Sequence, residues 1–460
     1  MNKSFLTLLS VVAVLAASAF SAASAQEVAK PGYAIVATPA VLDDAEWVKV
    51  VDSLKERRSA EYEVSVVRWD DAAFDELARI FPKYVAFVVK PEEATIESLA
   101  TIWQKTRALD DDPYGDVVWG IITGYDVETA IRLTKTEDMV VENALGATAI
   151  ALKYFKNGVC YDEGAKNTHV VKKDGGEIVD LHDAPDDTTK AIADDLSNAQ
   201  LFITSGHASE ANWSIGYSYK NGFWTSKAGE LYGLPSTGSK DLFKFTATGS
   251  KIHIASGNCL IGHINGKDAM ALALMRSANV DMMIGYVVTT WFGYMGWGVQ
   301  DYYIEQPGRF TVSEAFFANN QALLDLILND DTLSAQMKAG LEHDRDVVAI
   351  YGDPAWKNAL AVQDSGWKQE LTSEPGENGR TIWTLSITPL DGENTFGLNK
   401  PNGSQRGGRP FFQFFPTRVE DPQIIEGGDL NPIVTDNFIM IRRSEKSTSG
   451  EPFVVKISVK

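Results

Sequence analysis

The chain has 460 residues with 42 basic and 62 acidic side chains, so its formal net charge at neutral pH is −20. This charge argues against nucleic acid and anionic membranes as partners. Two cysteines in a chain of this length exclude a disulfide-rich scaffold, and the length itself indicates two or three domains.

Residues 1–25 have the pattern of a secretory signal peptide. Lys3 supplies the positive start, residues 6–17 are apolar, and Ala23-Ser24-Ala25 is a small-residue cleavage site. We therefore expect an exported protein, periplasmic or extracellular, that begins at Gln26. No later stretch reaches the roughly 18 consecutive apolar residues that a membrane span needs.

Residues 26–145 predict an N-terminal α/β subdomain. Apolar strands at 33–37, 62–69 and 84–89 alternate with helical patterns at 41–57, 70–80 and 96–109. Repeated βα units with short connections favour a parallel sheet with helices on its faces. The acidic run DDDPYGDVVWG at 110–120 predicts a solvated turn, and its carboxylates are also compatible with a structural calcium ion. A long helical region is expected over 127–155.

Residues 146–364 predict a second βα subdomain. It begins with a polar, irregular insertion over 157–187. The apolar runs LFIT and KIHIA then predict buried strands, each followed by a turn with a potentially reactive side chain. Further helices and strands extend to about residue 356. Beyond it, residues 365–460 lose helical periodicity and show short alternating runs between turn residues, which is typical of a separate β-sandwich domain.

The two reactive side chains are His207, in ITSGHAS, and Cys259, in IASGNCL. A residue just past the carboxyl end of a buried strand lies where open α/β sheets place active sites. A cysteine nucleophile needs a proton donor for the leaving amine, and histidine supplies it. On spacing alone, packing roles for both residues remain open, as does a disulfide between Cys259 and Cys160.

Other chemistries fit the sequence less well. His253 and His263 suggest a metal site with Cys259, but six residues of extended strand separate His253 from the thiol by about 20 Å. GHINGKD at 262–268 lacks the spacing of a phosphate-binding loop, and no GxSxG motif is present. We therefore expect neither a catalytic metal nor a required cofactor.

The blocks LFITSGHASEANW, KIHIASGNCLIG, MMIGYVVTTW and YGDPAW together resemble the gingipain family of secreted cysteine endopeptidases, which belongs to the caspase-like group. The resemblance covers most of the mature chain. It implies a caspase-like parallel-sheet catalytic region built from the two βα subdomains. It also implies that the β-sandwich over 365–460 is immunoglobulin-like.

The resemblance further implies roles for single residues. His207 would be the catalytic histidine and Cys259 the nucleophile, with the amides of Ala208 and Cys259 lining the oxyanion site. The family has glycine where this chain has Ala208, which cannot easily take a positive φ. Asp162 and Glu163 are candidates for the acids that orient the histidine or line the substrate pocket. Trp291 resembles a pocket-wall tryptophan, and its alternative is a core aromatic.

The sequence thus predicts a secreted cysteine endopeptidase that acts on protein or peptide substrates through a Cys/His dyad and an acyl-enzyme. The alternative is a catalytically weak or inactive gingipain-like homologue that serves as a binding or surface protein. Preference for the residue before the scissile bond, propeptide processing and oligomeric state are left open.

Overall fold

A computed structural model describes residues 30–161, 163–219, 221–237, 241–364, 366–390, 406–442 and 452–460. The predicted signal peptide lies outside these residues. The described residues from Pro31 onward form one compact unit. Within the described ranges, no helix combines the length and the apolar character needed to cross a membrane.

The strands are, in chain order, β1 Gly32–Ala37, β2 Glu63–Arg68, β3 Tyr84–Val88, β4 Val118–Ile122, β5 Asn143–Ala147, β6 Asn157–Tyr161, β7 His169–Lys172, β8 Ile178–Leu181, β9 Leu201–Thr204, β10 Asn212–Ser214, β11 Phe223–Lys227, β12 Glu230–Leu234, β13 Phe243–Phe245, β14 Lys251–Ala255, β15 Val280–Tyr286, β16 Val348–Tyr351, β17 Trp367–Pro375, β18 Thr381–Pro389, β19 Phe411–Phe414, β20 Gln423–Glu426, β21 Ile433–Val434, β22 Phe438–Ile441 and β23 Phe453–Val459.

The α-helices are α1 Pro39–Leu42, α2 Val48–Ser59, α3 Ala73–Ile80, α4 Ile96–Lys105, α5 Val127–Thr134, α6 Thr189–Asp195, α7 Met270–Ser277, α8 Tyr294–Tyr303, α9 Val312–Asn329 and α10 Ala335–Asp344. Side-chain oxygens cap several of them at the first turn. For example, Thr311 and Glu314 form a capping box at the start of α9.

A central sheet of twelve strands has the order β2-β1-β3-β4-β16-β15-β14-β9-β5-β6-β7-β8. Strands β2, β1, β3, β4 and β16 run parallel to one another, as do β15, β14, β9, β5 and β6. The two groups run in opposite directions, because β16 and β15 are antiparallel. The carboxyl ends of β5, β6, β9, β14 and β15 therefore lie on the same side of the sheet, which we call the carboxyl side.

The expected mixed α/β architecture with a mostly parallel sheet is confirmed. The helix expected over 127–155 is wrong beyond Thr134, because β5 occupies residues 143–147. The sequence of β5, NALGA, is rich in small residues because other atoms of the protein lie close to the strand. A Cβ on Gly146 would be 2.7 Å from the Thr148 carbonyl oxygen and 3.2 Å from Cys160 Sγ.

The irregular loop expected over 157–187 is also wrong in part. Strands β6, β7 and β8 extend the sheet there, with β7 and β8 antiparallel to their neighbours. The segment looked like a loop because β7 is only half-buried and β8 mostly exposed, which leaves little apolar periodicity.

A second, antiparallel sheet of the order β10-β11-β12-β13 is inserted between β9 and β14. Its inner side buries Trp213 and Trp224, whose rings meet edge to face at 5.0 Å. Trp224 also lies 5.6 Å from the ring of Phe202 in β9. This insertion therefore supports the chain that leaves β9.

The C-terminal part contains two antiparallel sheets, β17-β18-β23-β20 and β19-β22-β21. Trp367, Leu385, Phe411 and other apolar side chains form a core of their own between them. Phe412 and Phe438 instead join the large core of the α/β part. Alternation along β19 and β22 thus gives one face to each core, as the period of two requires. The predicted separation of this part as a domain stays a prediction.

Candidate active site

His207 and Cys259 follow two neighbouring strands of the central sheet. Strands β9 and β14 are parallel, with Thr204 opposite Ala255 at their carboxyl ends. The backbone ladder closes one step later, where the Ser256 amide donates to the Thr204 carbonyl at 2.9 Å. The chain segments that carry His207 and Cys259 therefore leave the sheet from adjacent positions on its carboxyl side.

A side-chain contact connects the two turns. Asn258 Nδ2 donates to the Gly206 carbonyl oxygen at 3.1 Å, so the residue before Cys259 contacts the residue before His207. Asn258 is fully buried. Gly206 has φ 97°, and a Cβ there would be 3.1 Å from the Ser214 carbonyl oxygen. Glycine is thus required for the tight turn that delivers His207.

The thiol of Cys259 is half-buried and accepts a hydrogen bond from the Thr290 amide at 3.3 Å. The next residue, Leu260, has φ 58°, a conformation that side chains disfavour and that occurs at functional turns. Its amide donates to the Val288 carbonyl at 3.0 Å. The cysteine is therefore held in a strained turn against the segment that follows β15.

The alternative of a Cys160–Cys259 disulfide is wrong in this structure, where the two cysteines are not bonded to each other. Cys160 lies in β6, and β5 and β9 separate that strand from β14. Its Sγ donates to the Thr148 carbonyl at 2.8 Å. The distance across two intervening strands exceeds what a disulfide can bridge.

The imidazole of His207 is exposed to solvent. The ring of Tyr217 lies 5.7 Å from it at 34°, and Tyr217 itself is 68% exposed. The Tyr217 amide donates to the Glu163 carbonyl at 2.8 Å, which ties this aromatic to the segment after β6. His207 thus lies at the open surface of the protein, with the ring of Tyr217 next to its imidazole.

Ala208 forms an isolated antiparallel bridge with Trp213. The flanking hydrogen bonds join Ser214 N to His207 O and Ser209 N to Asn212 O, both at 2.8 Å. In such a pair the central amide points away from the partner strand. Ala208 does not have a positive φ, so its methyl group meets no conformational penalty there. Among the described residues, none accepts a hydrogen bond from the amide of Ala208 or of Cys259.

Of the two candidate acids, Asp162 and Glu163, the structure describes the environment of Glu163. Asp162 lies outside the described residues. The Glu163 carboxylate accepts from the hydroxyl of Thr148 at 2.7 Å and from the hydroxyl of Ser205. Ser205 belongs to the turn that carries His207. Glu163 is therefore anchored at the base of that turn.

Trp291 follows Thr290, the residue whose amide contacts the thiol, and is 55% exposed. Its ring lies 5.8 Å from the ring of His343. The alternative of a core aromatic is therefore wrong. The exposed ring of Tyr217 thus lies beside His207, and the exposed Trp291 is the next residue along the chain from the Thr290 amide that contacts the Cys259 thiol.

The remaining histidines near the site have other environments. His253 is buried in β14, stacks on Phe202 at 5.0 Å, and has its pKa lowered to about 3 by desolvation. His263 lies with Nδ1 3.5 Å from Glu210 Oε1. Among the described residues, one group of side chains lies close enough together to share a metal ion: Asp110, Asp116 and Asp436. These three residues do not belong to the site of His207 and Cys259.

That acidic cluster contains part of the predicted calcium loop. Ligand oxygens of Asp110, Asp116 and Asp436 lie within 4.8 Å of one another. Arg418 forms an ion pair with Asp436 and donates to the Asp116 carbonyl. Burial, followed by the charge of Asp110, raises the pKa of Asp116 to about 8. A guanidinium and a retained proton thus relieve the repulsion, and calcium at this place stays a prediction.

Several residues of the site were missed at the level of sequence. Thr204, Asn258 and Thr290 contribute polar contacts around the turns that carry His207 and Cys259. One signal was present: Thr204 ends the run LFIT, and Asn258 follows the run KIHIA by three residues, so both are polar residues close to the ends of buried strands. Buried polar side chains in such positions need partners, so they tend to contact each other.

No protein-family model matches the chain, and no curated protein is similar enough to be identified as a relative. What the site can do is therefore inferred from its own residues and contacts.

Proposed function

We propose that the protein is a secreted cysteine endopeptidase with Cys259 as nucleophile and His207 as proton donor. The observation that carries this proposal is the hydrogen bond from Asn258 to Gly206, which joins the two turns at the ends of adjacent strands. A histidine and a half-buried thiol on connected turns are the minimal parts of a thiol hydrolase.

The reaction follows from these roles. The Cys259 thiolate attacks the carbonyl carbon of a peptide bond, and negative charge develops on the carbonyl oxygen. His207 then protonates the leaving amine as the carbon–nitrogen bond breaks, which leaves an acyl-enzyme. Water, deprotonated by His207, attacks the thioester and releases the new carboxylate and the thiol. A positioned histidine contributes about 10²–10⁴-fold in such steps.

The developing oxyanion would be bound by backbone amides. The amides of Ala208 and Cys259 are suitable because neither donates to another described residue. Preorganised amides of this kind are worth more in a partly desolvated site than in water. The exposed rings of Tyr217 and Trp291 would contact the substrate chain on either side of the scissile bond.

The architecture supports a finer proposal about the fold. A histidine after one parallel strand and a cysteine after its neighbour fit a caspase-like catalytic sheet, as the resemblance to gingipains implies. The two packed antiparallel sheets at the C-terminus fit an immunoglobulin-like sandwich. Export, with cleavage before Gln26, belongs to the same proposal and predicts a mature protein whose N-terminal residue is Gln26.

The test is hydrolysis of a mixed peptide library by the wild type and by Cys259→Ala and His207→Ala. Both variants should lose hydrolysis, and Cys259→Ala should also lose labelling by a peptidyl acyloxymethyl ketone. Cys160→Ala is the matched control, because its thiol lies two strands away, and it should retain both activities. Hydrolysis that survives in Cys259→Ala would contradict the assignment.

A non-catalytic binding protein is the second candidate. One observation favours it: β20 is an edge strand of the C-terminal sheet and exposes Ile424 and Ile425, at 43% and 53%. An open strand edge with apolar side chains is a common docking surface. Wild-type protein without any hydrolysis or ketone labelling would support this role.

A further inference from the structure

A buried chain of polar side chains runs beneath the two reactive turns. Thr204 Oγ1 lies 3.0 Å from His253 Nε2 and 2.7 Å from Asn258 Oδ1, and Asn258 Nδ2 contacts the Gly206 carbonyl. All three side chains are at most 1% exposed. Water therefore cannot replace these contacts, and each buried polar group depends on its neighbour.

The direction of every hydrogen bond in this chain is determined. Asn258 Nδ2 donates to Gly206, so its Oδ1 must face Thr204 and accept the single hydroxyl proton. The Thr204 oxygen then accepts from His253, which must carry its proton on Nε2. Desolvation lowers the pKa of His253 to about 3, so the ring is neutral at ordinary pH. Its buried Nδ1 has no hydrogen-bond partner among the described residues.

Among the described residues, backbone hydrogen bonds do not connect the two turns directly. The last backbone hydrogen bond between the two strands, within the described chain, is the one from Ser256 to Thr204. Beyond it the turns are connected by Asn258, whose amide contacts the peptide unit between Gly206 and His207. The orientation of that peptide unit fixes the position of the His207 Cα atom, from which the imidazole side chain extends.

We propose that Asn258, oriented by Thr204 and His253, is a positioning residue that determines the placement of His207 relative to the Cys259 thiol. This inference rests on the proposed peptidase function and assigns a role to three residues that touch no substrate. A displacement of about 1 Å in a reacting group can lower a rate about 100-fold, so small losses of alignment are measurable.

The experiment uses variants of Thr204, because they change the hydrogen-bonded series of side chains by a single group, the Thr204 hydroxyl. Thr204→Val removes the hydroxyl at nearly constant volume, and Thr204→Ser keeps it. Thr123→Val is the matched control: Thr123 is equally buried, follows β4, and its hydroxyl has no partner among the described residues. Labelling of Cys259 is followed with a peptidyl acyloxymethyl ketone, which needs the aligned site, and with iodoacetamide at high pH, which needs only an accessible thiol.

We expect Thr204→Val to react with the ketone about 10- to 100-fold more slowly than the wild type, with iodoacetamide labelling unchanged. Thr204→Ser and Thr123→Val should react like the wild type. If Thr204→Val fails to fold, Asn258→Asp, which keeps the shape and removes the Nδ2 donor, decides in its place by the same slowing.

The outcomes separate the two levels of the proposal. A wild type that reacts with iodoacetamide but never with the ketone would contradict the peptidase function itself. A reactive wild type together with a Thr204→Val variant of equal ketone reactivity would overturn the positioning role alone. Slow ketone labelling in Thr204→Ser as well as in Thr204→Val would also overturn it, because the hydroxyl would then not be the decisive group.

Discussion

At the scale of single residues, Ala208 is the position where this chain departs from the family it resembles. A glycine there would suggest that a positive φ is needed. The structure assigns the positive φ to Gly206 instead, while Ala208 pairs with Trp213 in an extended bridge. The proposed mechanism requires of residue 208 only its amide hydrogen, which alanine and glycine both possess.

This leads to a paired prediction at Ala208. Ala208→Gly should leave kcat/KM for peptide hydrolysis near the wild-type value, because the amide and the extended backbone are kept. Ala208→Pro removes the amide hydrogen, and the loss of one oxyanion donor should lower kcat about 10²–10³-fold. Circular dichroism controls for folding. A strong gain of activity in Ala208→Gly would show that the methyl group obstructs the cleft.

At the scale of elements, the turn after Cys259 is pressed against β15. A Cβ on Gly262 would lie 2.4 Å from the Gly285 carbonyl oxygen, which is backbone and cannot rotate away. The Gly262 amide also donates to the Tyr286 carbonyl at 2.9 Å. The position of Cys259 therefore depends on the close approach of two backbone segments.

We predict that Gly262→Ala lowers the free energy of unfolding by about 1–3 kcal/mol, the usual cost of overpacking. It should also slow ketone labelling, since the turn that carries Cys259 must shift. Gly428→Ala is the matched control, because its nearest neighbour would be the Ile424 side chain at 4.0 Å. Urea unfolding measures the stability of the two variants, and equal free energies of unfolding for both would contradict the prediction.

At the scale of the whole molecule, the C-terminal part supports the loop beside the site. Arg409 is 3% exposed, stacks on Tyr294 at 3.6 Å, and donates to Asn319 Oδ1 at 2.8 Å. Tyr294 is the first residue of α8, the helix that follows the Trp291 loop. A residue from the C-terminal part is thus packed into the core that supports α8.

We predict that Arg409→Met lowers the free energy of unfolding by about 3–5 kcal/mol, because it breaks a buried network and leaves polar partners unsatisfied. Arg68→Met is the comparison, since Arg68 is 46% exposed and its ion pair with Asp43 should contribute at most about 1 kcal/mol. Urea unfolding followed by tryptophan fluorescence measures both. A small effect of Arg409→Met would show that the C-terminal part is only loosely coupled to α8.

A second prediction at this scale concerns pH and the cluster that joins residues 110–116 to Asp436. The pKa of Asp116 is about 8 in the folded protein and near 3.9 when unfolded. Between these values the folded state retains a proton that the unfolded state has released. The contribution to stability is therefore complete below about pH 4 and lost as the pH rises to about 8. Asp116→Asn should flatten this decline, and Asp111→Asn, at an exposed position, should not.

The same variants test the calcium expectation. A calcium ion held by these carboxylates would raise the unfolding midpoint of the wild type at pH 8, where Asp116 can ionise, and would leave Asp116→Asn unchanged. An identical midpoint of the wild type with and without millimolar calcium would contradict a calcium site at this cluster.

The sequence by itself determined the local features of this protein. Short, largely apolar runs such as LFIT and KIHIA, bounded by Gly and Ser, predict buried strands, and β9 and β14 agree with them. His207 and Cys259 attracted attention because they follow such strands, while their catalytic roles were implied by the resemblance of the surrounding blocks and stay a prediction. Strand β5 was missed because small residues carry no periodic signal.

Only the tertiary structure decided how these parts combine. The opposite direction of the two halves of the sheet depends on one antiparallel pair, β15 with β16, which local periodicity cannot reveal. The contact between Asn258 and Gly206 joins residues 52 positions apart. Such pairings are selected by packing and by the need of buried polar groups for partners, and both exist only once the strands lie side by side.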